Sequence, residues 1–430
     1  MNTLIKNGRL IDPVQGLDRV VDIAIHEGKI IAVGNVPSEF SVERTVDATG
    51  QLVLPGLVDL SVRLLEPGDE YAGMLESEMR ACLAGGVTSL VCPPDTDPVL
   101  DEPSLVRMLR YKAQMLQLAR VFPLGALTVG LKGELLTEMA QLAQAGCIGF
   151  GQADVPVSNT QFLLRAFQYA STLAQTVWLR PSDPYLSSGV AASGSVATRL
   201  GLSGVPVIAE TIALHVMIEM ARATGCRLHV CKVSSAEGVE MIRLAKRQGL
   251  PISCDVSINS LHLCDMDIGF FDSKARLNPP LRQVRDRQAL QEGLADGTID
   301  ALVSDHHPVA MDLKAVPFAN AAPGATGVEL LLSLALKWAQ QSDTPLLRAI
   351  ECLTCAPAAI LGGSVLERPL GHLGVGATAD LCLVDPARFW TVRAESLTSQ
   401  GKSTPFQGIE LPALVMATMV GGKWVFERHL

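Results

Sequence analysis

The sequence lacks a basic excess: Lys and Arg total 35 against 44 Asp and Glu, a formal net charge of −9. That balance excludes nucleic acid or an anionic membrane surface as the main partner. It also lacks a long apolar run, although 48% of its residues are hydrophobic. The uncharged stretches 184–198, 315–328 and 352–366 fall short of the ~18 apolar residues that a membrane helix needs, and Gly, Pro or Ser interrupts each. Met1 to Pro13 has no basic cap followed by an apolar core, so no secretory leader is expected. The ten cysteines are scattered rather than framed as pairs, which suits reduced thiols better than disulfides. No Gly-rich loop with a Lys partner is present to cradle a phosphate. These absences together point to a cytoplasmic globular protein without a cofactor.

Both ends of the chain read as short strands and hairpins. Leu4–Asp12, Asp22–Val33 and Thr45–Val53 alternate and are punctuated at Asn7-Gly8, Glu27-Gly28 and Thr49-Gly50. Asp380–Val384 and Leu414–Phe426 repeat the pattern, with a turn at Gly421-Gly422. A small β-sandwich from residues 1–56 and 364–430 is expected. Between these ends, apolar β-branched runs alternate with helix-period segments. The runs are Leu57–Leu64, Thr88–Cys92, Val121–Thr128, Cys147–Gly151, Thr176–Arg180, Arg227–Val233, Pro251–Ser257 and Asp300–Ser304. Gly85, Gly146, Gly225 and Gly249 follow helical segments, where a C-cap favours a left-handed residue. Eight β-α units over residues 57–363 predict an α/β fold with a TIM-type (β/α)8 barrel, a doubly wound sheet being the runner-up.

In such a barrel the chemistry sits at the C-terminal tips of the strands. The tips carry Ser61, Arg63 and Leu65 on the first strand, and Pro93, Pro94 and Asp95 on the second. The fourth carries Gln152–Asp154, the fifth Arg180, the sixth Lys232 and the eighth Asp305-His306-His307.

Six segments in order resemble the dihydroorotases of the amidohydrolase superfamily. They are Leu54-Pro55-Gly56-Leu57-Val58-Asp59, Glu66-Pro67-Gly68-Asp69-Glu70, Ala84-Gly85-Gly86-Val87-Thr88, Asn278-Pro279-Pro280-Leu281-Arg282, Ser304-Asp305-His306 and Thr404-Pro405-Phe406-x-Gly408. The resemblance implies one or two divalent ions that lower the pKa of a bound water to about 7. In the family these are held by a His-x-His pair, a fourth-strand bridge, single histidines on strands five and six, and an eighth-strand Asp. Here those positions hold Ser61, Arg63, Gln152, Arg180 and Lys232, and only Asp305 remains. The substrate-binding positions read Leu65, Asp95, Asn278 and Val309.

Zinc normally takes three protein ligands and water, and a single carboxylate does not supply them. The expectation is therefore a chain with no catalytic, metal or cofactor-binding residues, a non-enzyme in which Arg63, Arg180 and Lys232 replace metal charge and Asp305 is their counter-ion. The resemblance then implies a structural subunit for aspartate carbamoyltransferase in pyrimidine synthesis, homo-oligomeric within the complex. Two alternatives stand beside it: an active cyclic-amide hydrolase using Asp305 with His306 or Lys232, and a carboxylate-sensing protein. Other features read as structural. Cys352-Leu353-Thr354-Cys355 lies in a helix as buried thiols; Cys226, His229 and Cys231 belong to the core. His306 hydrogen-bonds at the rim, His307 sits in a loop, and His26, His215, His262, His372 and His429 have solvated or capping roles.

Overall fold

The computed structural model describes residues 2–362 and 369–428. The expected domain boundary at 363/364, and His429, lie outside the described residues.

Eight parallel strands form the barrel. The first is Leu57–Asp59, the second Val87–Cys92, and the third is split into Arg120–Pro123 and Gly125–Ala126. The rest are Phe150–Gly151, Thr176–Leu179, Arg227–Val230, Ile252–Ser257 and Ala301–Val303. All pair in parallel with their sequence neighbours among 57–123 and among 125–303. The ring closes where Val62 bridges His306 and where Asp59 accepts from the Ser304 amide at 3.2 Å. Burial pushes the Asp59 carboxyl up to about 7.

Helices run between the strands as the 3.6-residue periodicity predicts, for example Leu75–Ala84, Thr160–Thr172 and Ala236–Arg247. The helix expected over 135–145 is shorter, Met139–Ala145, because Leu136 bridges Thr128 instead. Gly85 also departs from expectation. Its φ is −89°, and the left-handed turn falls on Gly86 at +82°. What Gly85 supplies is space, since a Cβ there would lie 2.5 Å from the Val328 carbonyl oxygen. Cys352 and Cys355 belong to two helices rather than one, Cys352 following Leu346–Glu351 and Cys355 opening Cys355–Leu361, and both thiols are free.

The two ends of the chain share one eight-stranded sheet. Leu381–Thr391 joins it to Leu52–Pro55 in antiparallel register, Leu383 opposite Val53. Alternation assigns its side chains to two cores. Leu381 and Leu383 pack with Ile5, Leu10 and Ile23 inside the terminal domain. Cys382 and Val384 face the barrel's helical layer. No helix among the described residues is long and apolar enough to cross a membrane.

Candidate functional site

The strand tips bring six charged side chains into one lattice. Arg63 Nε lies 2.8 Å from Asp95 Oδ2 and its Nη2 2.8 Å from Asp154 Oδ2. Arg180 Nε stands 2.8 Å from Asp154 Oδ1, and its Nη2 donates to the Asp154 carbonyl at 3.2 Å. Lys232 Nζ is 3.1 Å from both Asp154 Oδ1 and Asp305 Oδ1, and donates to the Asn278 carbonyl at 3.2 Å. Ser257 donates to the second Asp305 oxygen at 3.3 Å.

Three cations meet three carboxylates, so the cup is charge-balanced rather than cationic. Asp154 is its centre, and sequence reasoning missed that: the expected counter-ion, Asp305, contacts only Lys232 among the three. The only signal was a carboxylate two positions past Gln152. Gln152 itself is fully buried and turned away, exchanging hydrogen bonds with Thr128 and donating to the Leu131 carbonyl at 2.9 Å. The left-handed backbone of Ala153, φ +49°, reverses the chain between them. Asp95 holds Arg63, a role sequence reasoning had not given it.

The titration behaviour follows from this geometry. Burial opposes ionisation of Asp154, but Lys232, Arg63 and Arg180 outweigh it and hold the carboxyl well below the usual range. Asp305 moves the other way, because burial and the nearby Asp154 exceed the help it receives from Lys232 and Arg63. Burial disfavours the Lys232 ammonium, yet Asp154 and Asp305 raise its pKa. Non-glycine residues with left-handed φ recur at the tips: Leu65 (61°), Ala153 (49°), Lys232 (56°) and Asp305 (50°). Strain of this kind, about 1–3 kcal/mol per residue, concentrates where function over-determines the backbone.

The remaining candidates scatter. Ser61 serves the barrel wall, its carbonyl accepting from the His306 amide at 3.0 Å. Leu65 lies above the first strand and Val309 is buried beyond the eighth. His306 is not at the rim. It is fully buried, with Nε2 2.9 Å from Glu78 Oε2 and Nδ1 accepting from Gly327 N at 3.2 Å. That removes it as a base. His262 is half-buried rather than solvated, its Nε2 3.0 Å from the Leu334 carbonyl.

Beside the lattice opens a cavity of about 300 Å³, lined by Arg180, Lys232, Arg276, Asn278 and Ser182 among others. Arg276 has no carboxylate within ion-pair distance. Its Nη1 donates only to the Leu277 carbonyl at 3.3 Å, and its Nε has no partner. Burial lowers its pKa.

The resemblance implied a divalent metal at the first-, fourth-, fifth-, sixth- and eighth-strand positions. The residues there do not fit one: guanidinium and ammonium groups offer no lone pair, and Asp305 is engaged by Lys232.

A closed barrel with a terminal-strand domain and charged groups at the strand tips defines a (β/α)8-barrel protein whose candidate site lies at the C-terminal face. The chain belongs to the amidohydrolase family, in its dihydroorotase-like branch. The dihydro-orotase-like family matches residues 50–238, and the amidohydrolase family matches residues 204–425. A dihydroorotase of Pelobacter propionicus is 40% identical over 429 residues, all of both chains. A dihydroorotase-like protein of Pseudomonas aeruginosa is 41% identical, covering 99% of this chain and 100% of its own. The L-hydantoinase of Arthrobacter aurescens superposes with a TM-score of 0.88 at 25% identity, covering 99% of this chain and 96% of that one.

These findings overturn the expectation of a non-enzyme. Full-length relatives at 38–40% identity, including that of Geobacter metallireducens, bear the name of an enzyme. The expectation had rested on the replaced metal ligands alone. A lattice that holds a lysine ammonium beside a carboxylate of raised proton affinity retains groups for charge stabilisation and proton transfer.

Proposed function

We propose that the chain is a cyclic-amide hydrolase of the dihydroorotase type that works with side chains in place of a metal. One observation carries this reading. The cavity wall joins an uncompensated guanidinium, Arg276, to the Lys232 ammonium, behind which Asp305 stands at 3.1 Å. A cyclic amide bearing a carboxylate matches both ends. Its carboxylate meets Arg276, and its amide carbonyl meets Lys232. Removing one pre-aimed donor to a developing oxyanion typically costs about 10²–10³ in rate. A water adds to the carbonyl carbon as the ring C–N bond breaks. Its proton is relayed through the Lys232–Asp305 pair, 3.1 Å apart, and delivered to the departing ring nitrogen, with burial and Asp154 raising the proton affinity of Asp305.

Turnover of dihydroorotate and of its ring-opened ureido acid, in wild type and Asp305→Asn, tests the proposal. The expected result is slow wild-type turnover that falls about 10²-fold or more in Asp305→Asn. Arg276→Ala is expected to raise KM with little change in kcat. Wild-type turnover equal to that of Asp305→Asn overturns the reading.

We also propose a cytoplasmic location and association with aspartate carbamoyltransferase, the partner that the family resemblance implies, with more than one copy of this chain in the assembly. Exposed Met266, Phe270, Met311 and Leu313 support a protein partner. Their segments are tied by the Ser273 hydroxyl donating to the Lys314 carbonyl at 2.5 Å. Co-elution of the two purified proteins tests this, and separate elution at micromolar concentration refutes it.

A further inference from the structure

One cluster inside the barrel belongs to none of the chemistry above. His229 on the sixth strand and Cys231, the first residue past its end, both face the barrel interior, and Asp255 reaches them from the seventh strand. His229 pairs in register with Ser253. One ligand atom from each of His229, Cys231 and Asp255 lies within 4.8 Å of the others. His229 Nε2 is 2.9 Å from Asp255 Oδ2, and its Nδ1 is 2.9 Å from the Ser253 hydroxyl. Cys231 and Asp255 also line a small cavity of about 40 Å³ directly under the charged lattice, which Trp178 and Leu60 close on the apolar side. That is room for one water.

We propose that His229, Cys231 and Asp255 form a binding site for a soft divalent cation, zinc by preference, with a water from the small cavity as fourth ligand. Thiolate, imidazole and carboxylate form a zinc-selecting set. Tetrahedral bonds of about 2.0–2.3 Å place ligand atoms about 3.3–3.8 Å apart. The cluster therefore needs His229 and Asp255 to part by less than about 1 Å from their present separation.

The proton balance closes without any external reagent. Before loading, the carboxylate of Asp255 only accepts, so Nε2 carries the imidazole proton and the Ser253 hydroxyl donates to Nδ1. On loading, that proton moves to Nδ1, where Ser253 accepts it, and Nε2 binds the metal. The Cys231 thiol releases one proton to solvent. Thiolate, carboxylate and dication sum to zero, so the filled site is neutral where the empty one carries the single negative charge of Asp255. Ser253 then fixes the ring as an outer-shell partner. None of the three ligands is a proposed catalytic group of the cup, although the Lys232 amide donates to Asp255 Oδ1 at 2.7 Å and Lys232 lines the small cavity. Metal binding is read without turnover, so its failure is distinguishable from failure of the hydrolase reading.

Cobalt titration of the metal-free full-length protein tests this. The expected result is one Co²⁺ per chain, a thiolate-to-cobalt charge-transfer band in the near ultraviolet and the strong visible bands of four-coordinate cobalt. The charge-transfer band is expected to vanish in Cys231→Ser and to persist in Cys355→Ser. Its absence in wild type, or its survival in folded Cys231→Ser, overturns the proposal. If Cys231→Ser does not fold, anomalous diffraction from cobalt-soaked wild-type crystals decides. A peak between His229 and Asp255 supports the site, and a peak only elsewhere, for example against Asp305, refutes it.

Discussion

Replacing Asp154 by asparagine removes the centre of the charged lattice while keeping its shape. Asp154 faces three cations, at 2.8 Å from Arg63, 2.8 Å from Arg180 and 3.1 Å from Lys232. With charge centres ~4 Å apart and an effective dielectric of 20, each contact contributes about 4 kcal/mol before desolvation. Desolvation of the four groups offsets most of that sum. What remains is the cost of leaving buried cations under-compensated, about 3–5 kcal/mol. Asp305→Asn provides the contrast. Asp305 faces a single ammonium, and its neutralisation also relieves repulsion by Asp154, so its loss is expected to cost at most about 2 kcal/mol. Urea unfolding at neutral pH, followed by tryptophan fluorescence, measures both. Because the folded pKa of Asp154 is depressed, its contribution is complete above the unfolded carboxylate's value of about 3.9. It is then lost as the pH falls towards the folded value, so the gap between wild type and Asp154→Asn is expected to be constant from pH 8 to about 5 and to narrow below about 4. An Asp305→Asn cost equal to or larger than that of Asp154→Asn refutes the assignment of Asp154 as the hub.

Two further outcomes follow from other parts of the fold. Burial pushes the His262 imidazole down to about 4. The unfolded chain, with a pKa of about 6.5, therefore binds one more proton between those values, and stability falls by up to about 1.4 kcal/mol per pH unit as the pH drops through that window. His262→Gln is expected to flatten this slope in unfolding measured from pH 7 to 4, and an unchanged slope contradicts the burial argument. A Cβ on Gly422, which has φ +79°, would lie 2.4 Å from the Gly28 Cα. Because backbone meets backbone, Gly422→Ala is expected to destabilise by about 1–3 kcal/mol; a melting temperature within 1 °C of wild type, against the several degrees expected, shows that the turns can separate.

The barrel was legible because its signal is local. A strand buried on both faces reads as an apolar run, and a helix laid on it repeats every 3.6 residues, so strands from Leu57 to Ser304 could be read one by one. The terminal sheet was legible for the same reason, through alternation and the turns at Glu27-Gly28 and Gly421-Gly422. The identity of the cup's cations was also written in the chain, because Arg63, Arg180 and Lys232 each sit at a recognisable strand tip.

Their partners were not legible. Asp154, rather than Asp305 or Gln152, gathers the cations because Ala153 turns left-handed and aims the next side chain across the barrel mouth. His306 looked like a rim residue from its neighbours, yet it pairs with Glu78, 228 positions away, inside the wall. Arg276 looked unremarkable until the fold gave its guanidinium a single carbonyl, that of Leu277, and no carboxylate. By itself, then, the sequence determined the architecture and which charges stand at the strand tips, since both are set by residue type and spacing along the chain. Only the tertiary structure decided which charges meet, because pairing depends on ångström-scale reach between strands far apart in sequence.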